Sequence, residues 1–418
     1  MKNSLVDFAR LSFGNIIEWY DFSLYVYFAD YIAYSFFPDS NHYVSMLLVF
    51  ATFFLGSLVR PIGGLLVGWL GDRFDLKFIV NLCIIVMGLS TVLVAFLPDY
   101  SMVGIFAPIL LVTLRIIQGI SVGGQFPGLI TLSVQDYNRN KGFAVSIVFS
   151  VSSLGFLLAS LVGFSITEII TDHNSQLIWR IPFAFSGVLF LIYLFLNRGQ
   201  KYTNSEKTSN KQSGDNVFKS LCRQWRSIVA VVCLCTMNAS LYFIVFTYIV
   251  DYQVDVLGIA DKTAFLINSV ILFFACIMYP LFGYLADKLG LIKVFYFSAI
   301  CLLLLSFPLI FLIQTKDILL MFASLFILTL FMTSIQGAIS PLFAETFDEQ
   351  WQTTGCAFSY SVGNGISGAA PLAAMFMVHI IPHFGLGILI SALIILGIIG
   401  MLLIQFMKKQ KKNCSNKV

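Results

Sequence analysis

The chain is 418 residues long with a net charge of +4, and it is 58% hydrophobic but only 11% charged. Because a soluble domain needs about 25% charged residues to cover its surface, this composition excludes a soluble enzyme. The basic residues form no continuous stripe, so a nucleic-acid partner is excluded as well. The mean hydropathy of +0.89 indicates an integral membrane protein.

Long apolar runs follow one another along the chain, and many reach the roughly 20 residues that cross about 30 Å of hydrocarbon. Backbone groups in lipid must be hydrogen-bonded within their own segment, so these runs are predicted to be helices. We predict an all-α integral membrane protein with twelve transmembrane helices in two pseudo-symmetric six-helix bundles. The predicted spans are 12–36, 47–70, 78–97, 102–134, 141–170, 180–197, 227–251, 263–286, 291–313, 317–345, 352–380 and 384–407.

Lysine and arginine residues collect in alternate connections between these spans, whereas the other connections hold little beyond Arg180, Lys262 and Lys316. The positive-inside rule then places both termini in the cytoplasm, which requires an even number of spans. The first apolar segment is long and contains Glu18 and Asp21, so it is predicted to be helix one rather than a cleaved signal peptide. We expect a multi-pass protein of a bacterial inner membrane.

A polar stretch rich in Lys, Ser, Asn and Gln divides the spans six and six. Its composition is typical of a flexible linker, in which 218–226 is expected to form a short surface helix. The predicted organisation is therefore an N-terminal bundle over 1–197, a cytoplasmic linker over 198–226, a C-terminal bundle over 227–410 and a basic tail over 411–418.

Two short motifs recur at equivalent places in the halves. Gly68-x-x-x-Asp72-Arg73 ends the second span and Gly283-x-x-x-Asp287-Lys288 ends the eighth, while Ile117-Gln118-Gly119 in the fourth span matches Ile335-Gln336-Gly337 in the tenth. These matches indicate parallel six-helix repeats with a solute path between them near the midplane. The turns have a structural role at helix ends, and we further expect them to brace a cytoplasmic gate.

Four ionisable residues stand out at membrane depth in the predicted first half, where a charge costs at least about 2.5 kcal/mol. Helical rise puts Glu18, Asp21, Arg60 and Arg115 in one layer, about 10 Å from the cytoplasmic side. One interpretation is a static cluster that fixes helix packing. The other is that Asp21 or Glu18 takes up and releases a proton while Arg115 switches its proton affinity.

An arginine cannot be discharged at accessible pH, so Arg60 or Arg115 can also anchor an anionic or zwitterionic solute. Other polar side chains of the central spans are either solute ligands or interhelical hydrogen-bond partners. The candidate ligands on these spans are Tyr25, Asn238, Tyr242, Gln336 and Asn364, with Tyr248 and Tyr360 nearby.

Sequence signals for enzymatic or metal chemistry are lacking. The chain has no nucleotide-binding P-loop and no HExxH motif, and its four histidines lie in or near the predicted outer loops. The Cys233-x-Cys235 pair has no further ligands at metal-binding spacing, so small apolar packing is the better interpretation. We therefore predict no enzyme activity, no cofactor and no metal.

Several segments, taken together, resemble one family of transporters. They are Gly14-Asn-Ile-Ile-Glu18-Trp-Tyr-Asp21-Phe, Arg60-Pro-Ile-Gly-Gly, Gly68-x3-Asp72-Arg73, Arg115-x2-Gln-Gly-x3-Gly-Gly124, Trp179-Arg-Ile-Pro-Phe183, Pro341-x3-Glu345-x-Phe347 and Thr354-Gly355-x4-Tyr360. They resemble the metabolite:proton symporters of the major facilitator superfamily, which include proline/betaine, α-ketoglutarate and shikimate transporters. The resemblance implies a monomer in the lipid bilayer that takes up a small amino acid, betaine or carboxylate with protons by alternating access.

Two departures from that family pattern concern the expected gate. The family has Glu where this chain has Gln125, and a basic residue where it has Gln352. Both positions are expected near the cytoplasmic end, where a neutral amide contact between them would replace an ion pair. The complete set of predicted gate residues is Asp72, Arg73, Gln125, Asp287, Lys288, Glu345 and Gln352.

Three other functions are alternatives to uptake. An exporter of a drug or metabolite with the same fold and proton antiport is the main alternative, and it would have an apolar cavity. A membrane sensor lacks support because the chain carries no appended soluble domain. A membrane-embedded enzyme has no catalytic motif behind it.

Overall fold

A computed structural model of the protein describes residues 2–38, 41–137, 140–169, 179–198 and 217–415. These residues are helical almost throughout, and no β-strand occurs among them. Most of the predicted linker, residues 199–216, lies outside the described residues, as do the last three residues of the predicted basic tail.

The described part of the first half contains nine helices. The first span consists of α1 (Lys2–Tyr27) and α2 (Ala29–Phe36), and the second of α3 (His42–Leu58) and α4 (Arg60–Arg73). They are followed by α5 (Leu76–Ala95), the short α6 (Tyr100–Val103), α7 (Phe106–Asp136), α8 (Lys141–Ile169) and α9 (Arg180–Leu196).

The second half begins with a short helix, α10 (Val217–Arg223), close to where one was expected. The seventh span contains α11 (Trp225–Phe243), a π-helical turn over Ile244–Tyr248, α12 (Ile249–Asp251) and a second π-helical turn over Tyr252–Val256. The remaining helices are α13 (Asp261–Leu289), α14 (Leu291–Gln314), α15 (Ile318–Ile339), α16 (Leu342–Glu345), α17 (Gln352–Ser367), α18 (Ala370–Ile380) and α19 (Gly385–Ser415), with a 3-10 turn over Glu349–Trp351 before α17.

The predicted fold class is confirmed. Ten helical segments among the described residues are long and apolar enough to cross a membrane, and α9 is a shorter apolar helix. Together with α9 and the helix α1, whose apolar run carries Glu18 and Asp21, these segments make the twelve predicted spans among the described residues. The end of the molecule at which α1 begins and α19 ends is called the terminal end below.

Proline accompanies a break in three of the spans, because it lacks an N–H donor and clashes with the preceding turn. The second span is broken at Val59, just before Arg60 and Pro61. The tenth span stops at Ile339 and resumes beyond Pro341, and the eleventh is interrupted between Ser367 and Ala370, just before Pro371. The prolines beside these breaks are Pro61, Pro341 and Pro371. The π-helical turns of the seventh span have no such sequence signal.

Two crossed helix pairs hold the bundles together, α8 against α13 and α4 against α17. Glycine allows their backbones to meet. A Cβ atom added at Gly68 would lie 2.6 Å from the Cα of Thr354, and one added at Gly283 would lie 2.5 Å from the carbonyl oxygen of Gly142. Small residues at these crossings therefore set how closely the two bundles approach.

Candidate functional site

Asp21 and Arg115 form a buried ion pair within the first bundle. The Arg115 NH1 atom lies 2.6 Å from Asp21 Oδ2, and both side chains are buried. The Arg115 guanidinium also lies over the ring of Tyr25, 3.9 Å from its centroid. Gln118 completes the cluster by donating to Asp21 Oδ1 at 3.4 Å and to Thr91 Oγ1 at 3.0 Å. Asp21 is thus held by a charge and an amide at once.

Glu18 has a different environment, one turn earlier on α1. Its Oε2 atom accepts a hydrogen bond from Gln125 Nε2 at 3.0 Å. The same amide nitrogen donates to Asn15 Oδ1 at 3.2 Å, and Asn15 Nδ2 donates to Ser152 Oγ at 3.4 Å. Glu18, Gln125, Asn15 and Ser152 are all buried. The hydrogen-bonding partner of Glu18 is therefore a neutral amide rather than an arginine.

Arg60 connects the charged layer to the second bundle. Its NH1 atom donates to Asn364 Oδ1 of α17 at 3.3 Å, and its guanidinium lies 5.4 Å from the ring centroid of Phe22. Arg60 and Glu18 interact electrostatically, but their charged atoms are not within salt-bridge distance of each other. The four ionisable residues predicted to share a layer thus divide into one tight pair and one looser pair.

A small cavity lies between the bundles beside this layer. Its volume is about 30 Å³, which is about the share of liquid volume of one water molecule. Both bundles contribute to its wall, and none of the described residues in that wall carries a formal charge. The lining residues are Trp19, Phe149, Ser152, Ser153 and Phe156 from the first bundle, and Asn238, Ala239, Tyr242, Phe243, Tyr279, Tyr360 and Asn364 from the second.

Aromatic rings make most of the contacts in the wall. The rings of Trp19 and Phe156 lie 5.2 Å apart, and those of Phe156 and Tyr242 lie 5.0 Å apart. The Trp19 Nε1 and Tyr242 hydroxyl groups are buried without a hydrogen-bond partner. The wall therefore offers π faces together with unused polar atoms.

The predicted solute ligands are only partly brought together. Asn238, Tyr242 and Asn364 line the cavity, whereas Tyr25, Arg60 and Gln336 do not. Tyr25 stacks on Arg115 and donates its hydroxyl to the carbonyl of Val49. Gln336 instead donates to Ser340 Oγ of its own span at 2.8 Å, because the break before Pro341 leaves that hydroxyl within reach.

The repeated acidic residues cap helices across the interface at the terminal end. Asp72 accepts hydrogen bonds from the backbone of Thr353 and Thr354 at the start of α17, at 3.0 and 2.9 Å, and from the Thr354 hydroxyl. Asp287 accepts from the backbone of Gly142 and Phe143 at the start of α8, at 2.8 and 2.9 Å. Each bundle thus holds a helix N-terminus of the other by the same contact.

The other predicted gate residues have varied surroundings. Arg73 and Lys288 are exposed and stack on aromatic rings of their own helices, Trp69 and Tyr284. Glu345 makes a salt bridge of 2.7 Å across the interface to Lys141. The basic residues of the repeated motif thus remain within one bundle, while its acidic residues join the two.

The expected contact between Gln125 and Gln352 is wrong. Gln125 bonds to Glu18 and Asn15 in the charged layer, whereas Gln352 accepts from Gln135 Nε2 at 3.0 Å. Gln135 lies ten residues further along the same helix, which is about 15 Å at the helical rise. Gln125 therefore belongs to the site rather than to the terminal end.

Sequence reasoning missed residues that act through partners distant in the chain. Asn15 lies inside a motif already singled out, yet its bonds to Gln125 and Ser152 have no local signature. Trp19 and Phe156 are aromatic residues in an aromatic-rich chain, so composition does not separate them from lipid-facing rings. In the sequence Lys141 is one of many basic residues that indicate only topology, although it pairs with Glu345.

Comparison with known proteins gives consistent matches over most of the chain. Residues 11–371 match the family described as Major Facilitator Superfamily. The chain is 30% identical over 383 residues to a proline/betaine transporter of Salmonella typhimurium, covering 88% of this chain and 76% of that protein. It is also 30% identical over 364 residues to a shikimate transporter of Escherichia coli, covering 85% of this chain and 83% of that protein.

Solved structures support the same fold. A structure of the proton:xylose symporter XylE bound to 6-bromo-6-deoxy-D-glucose superimposes with a TM-score of 0.75, covering 97% of this chain and 95% of that one. A partially occluded inward-open structure of the xylose transporter XylE from E. coli gives a TM-score of 0.67. Both are 17% identical in sequence, so they speak for the fold alone.

Proposed function

Since the chain belongs to the Major Facilitator Superfamily and is a secondary transporter related to proline/betaine and shikimate transporters, we propose that it takes up a small zwitterion, such as an amino acid or a betaine, together with protons. The observation that carries this proposal is the uncharged aromatic cavity placed directly beside a buried layer of two acids and two arginines.

The wall of the cavity favours a solute with no net charge. Aromatic faces stabilise a cationic group by roughly 0.5–2 kcal/mol, and Trp19, Phe156 and Tyr242 provide such faces. The amides of Asn238 and Asn364 can bond a carboxylate, with Arg60 behind Asn364 adding positive potential. A carboxylate solute with a net negative charge would meet no guanidinium in the wall itself.

Glu18 is our choice for the proton-carrying group. Asp21 is fixed by an arginine and a glutamine, so releasing it from Arg115 would leave a buried cation unpaired. Glu18 is bonded to the neutral amide of Gln125 and can gain or lose a proton without breaking an ion pair. The Asp21–Arg115 pair then acts as the fixed part of the layer.

We further propose that the terminal end faces the cytoplasm and that the contacts of Asp72, Asp287 and Glu345 close the transporter there. The cavity of about 30 Å³ is far smaller than an amino acid. Solute must therefore enter after the bundles separate at one end, as alternating access requires.

The test is uptake into liposomes that contain the purified protein and carry an imposed pH gradient. Labelled proline, glycine betaine and shikimate serve as probes. We expect accumulation of a zwitterion that an uncoupler abolishes, and we expect Glu18→Gln to lose accumulation while still exchanging labelled for unlabelled solute. Accumulation that is unchanged and still proton-driven in Glu18→Gln would rule out Glu18 as the carrier.

Export is the second candidate, because the aromatic lining also suits an apolar drug or metabolite. An exporter working by proton antiport would extrude such a compound when protons flow the opposite way. Efflux of an apolar cation with no uptake of any zwitterion in the same liposomes would select this alternative.

A further inference from the structure

Gln125 is the link between Glu18 and the wall of the cavity. We infer that Gln125 and Asn15 are positioning residues that transmit the protonation of Glu18 to the hydroxyl of Ser152, and so couple proton binding to solute binding. This inference rests on the proposed function, in which Glu18 carries the proton and the cavity binds the solute.

The hydrogen bonds run in one direction while Glu18 is a carboxylate. Gln125 Nε2 donates to Glu18 Oε2 at 3.0 Å and to Asn15 Oδ1 at 3.2 Å. Asn15 Nδ2 in turn donates to Ser152 Oγ at 3.4 Å. The Ser152 hydroxyl donates its own hydrogen to the carbonyl of Val148 at 2.8 Å. Gln125 thus donates to Glu18 and to Asn15, and Asn15 donates to Ser152 in the wall of the cavity.

One atom in this series of hydrogen-bonded side chains has no partner. Gln125 Oε1 is buried and accepts no hydrogen bond, although buried polar atoms are normally satisfied. A protonated Glu18 would add a second such problem, because its new O–H group needs an acceptor. Rotation of the Gln125 amide by half a turn gives both of these groups a partner, since Oε1 then accepts the hydrogen that Glu18 has gained from solvent. The Nε2 group gives up its bonds to Glu18 and Asn15 and takes the position that Oε1 leaves.

That rotation reverses the direction of the other hydrogen bonds between Gln125 and Ser152. With Gln125 Oε1 facing Asn15, two acceptor oxygens would meet, so the Asn15 amide turns as well and donates to Gln125. Asn15 Oδ1 then faces Ser152, whose hydroxyl leaves the carbonyl of Val148 and donates to Asn15. The only atom added is the proton on Glu18, and no covalent bond other than its O–H forms or breaks.

The reversal changes what Ser152 offers to the cavity. Its oxygen first accepts from Asn15, and after the reversal it donates there instead. Its lone pairs are then free to accept from an ammonium or hydroxyl group of a bound solute. Protonation of Glu18 therefore favours solute binding, and by linkage bound solute favours protonation.

The charged and titratable groups around Glu18 are compatible with its taking up a proton. Arg60 of α4 and Asp21 of its own helix are the charged ones, and Cys83 of α5 and Tyr360 of α17 also interact with it electrostatically. Arg60 is engaged with Asn364 across the interface. Glu18 itself accepts a hydrogen bond from Gln125.

Gln118 provides a matched control on the same helix. It is also a buried glutamine whose Nε2 donates to an acid and whose Oε1 has no partner. Its second hydrogen bond ends at Thr91, which is not part of the cavity wall. A variant at Gln118 perturbs the layer equally but leaves the link to Ser152 intact.

The first experiment uses infrared difference spectra of the purified full-length protein between alkaline and acidic pH. We expect a carbonyl band of protonated Glu18 that disappears in Glu18→Gln and shifts in Gln125→Leu, since the acceptor of its O–H is lost. Gln118→Leu should leave the band unchanged. An identical band in wild type and Gln125→Leu, or no such band in wild type, would overturn the inference.

The second experiment measures binding of labelled proline as a function of pH. Wild type should bind proline about 5- to 150-fold more tightly when Glu18 is protonated, and this ratio should fall toward one in Gln125→Leu and in Ser152→Ala. Gln125→Asn keeps an amide that both donates and accepts, so it should keep more of the ratio than Gln125→Leu. A ratio unchanged in Gln125→Leu contradicts the link.

The two proposals fail in different ways. If wild type shows no uptake driven by a pH gradient, the proposed function is wrong, whatever the infrared band does. If wild type takes up proline with protons and Gln125→Leu does so equally well, only the link through Gln125 is wrong.

Discussion

Arg115 is the residue whose surroundings most constrain the first bundle. It carries a permanent charge and is buried, and its Nε and NH2 atoms have no hydrogen-bond partner. Its stabilisation comes from the carboxylate of Asp21 and the π face of Tyr25. Such a pair is weak evidence for stability as a whole, yet removing one partner exposes the full desolvation cost of the other.

We therefore expect Asp21→Asn to destabilise the protein by about 3–5 kcal/mol, because it leaves Arg115 buried without a counter-charge. The measurement is the thermal unfolding temperature in detergent. The double variant Asp21→Asn/Arg115→Gln removes both charges and should recover most of the loss. An unfolding temperature equal to that of wild type in Asp21→Asn would mean that the pair is not buried as described.

The sequence predicts Asp21 and Arg115 in the buried charged layer, and the structure places them there. It predicts Gln125 among the gate residues, whereas the structure places Gln125 beside Glu18 in the layer. The first two are charged residues in apolar runs, so hydropathy alone marks them as unusual. Gln125 is neutral, and its role depends on α1 lying against α7. That tertiary fact cannot be read from the spacing along either helix. The same reason explains why the sequence places Gln336 in the cavity, although its Nε2 atom donates to Ser340 of its own span.

At the scale of the element, span bounds are the most predictable property of the chain. The ninth span was expected over 291–313 and is observed over Leu291–Gln314, since length and hydropathy decide it. The two π-helical turns of the seventh span have no such cause. They depend on outside partners such as Asn268, whose amide donates to the carbonyl of Phe246 at 3.3 Å.

The caps formed by Asp72 and Asp287 are elements of the interface rather than of one helix. A carboxylate at a helix N-terminus contributes about 0.3–1 kcal/mol, and up to about 2 kcal/mol when partly buried. Because these two carboxylates cap helices of the opposite bundle, that energy favours closure of the terminal end. It does not favour folding of either bundle alone.

We expect Asp72→Asn to shift the molecule toward conformations open at the terminal end, because it removes the charge that holds α17. Distances between spin labels on the two bundles at that end should lengthen or broaden. Asp317→Asn is the control, since Asp317 caps Leu319 and Leu320 of α15 within one bundle. Equal distance distributions in wild type and Asp72→Asn would show that the cap does not hold the interface.

At the scale of the whole molecule, contacts join the bundles at three depths at once. Asp72 and Asp287 act at the terminal end, and Arg60 with Asn364 at the level of the charged layer. Ser160 and Ser269 meet toward the opposite end, with their hydroxyl oxygens 2.8 Å apart. These contacts join the bundles at several levels along the membrane normal, and the alternating access proposed above requires the contacts at one end to break while those at the other hold.

A reversible cross-link at the opposite end tests this directly. The hydroxyl oxygens of Ser160 on α8 and Ser269 on α13 lie 2.8 Å apart, so cysteines at both positions would bring their sulfur atoms into contact. In a background without the native cysteines, we expect oxidised Ser160→Cys/Ser269→Cys to lose uptake and to recover it on reduction.

The matched control lies within the second bundle. Ser298 on α14 and Ser334 on α15 have hydroxyl oxygens 2.7 Å apart, so Ser298→Cys/Ser334→Cys forms the same bond between helices that move together. Its uptake should survive oxidation. Full uptake by the oxidised Ser160→Cys/Ser269→Cys protein would mean that solute passes without separation of α8 from α13, whereas loss in both variants would show that the bundles deform internally rather than rock as rigid units.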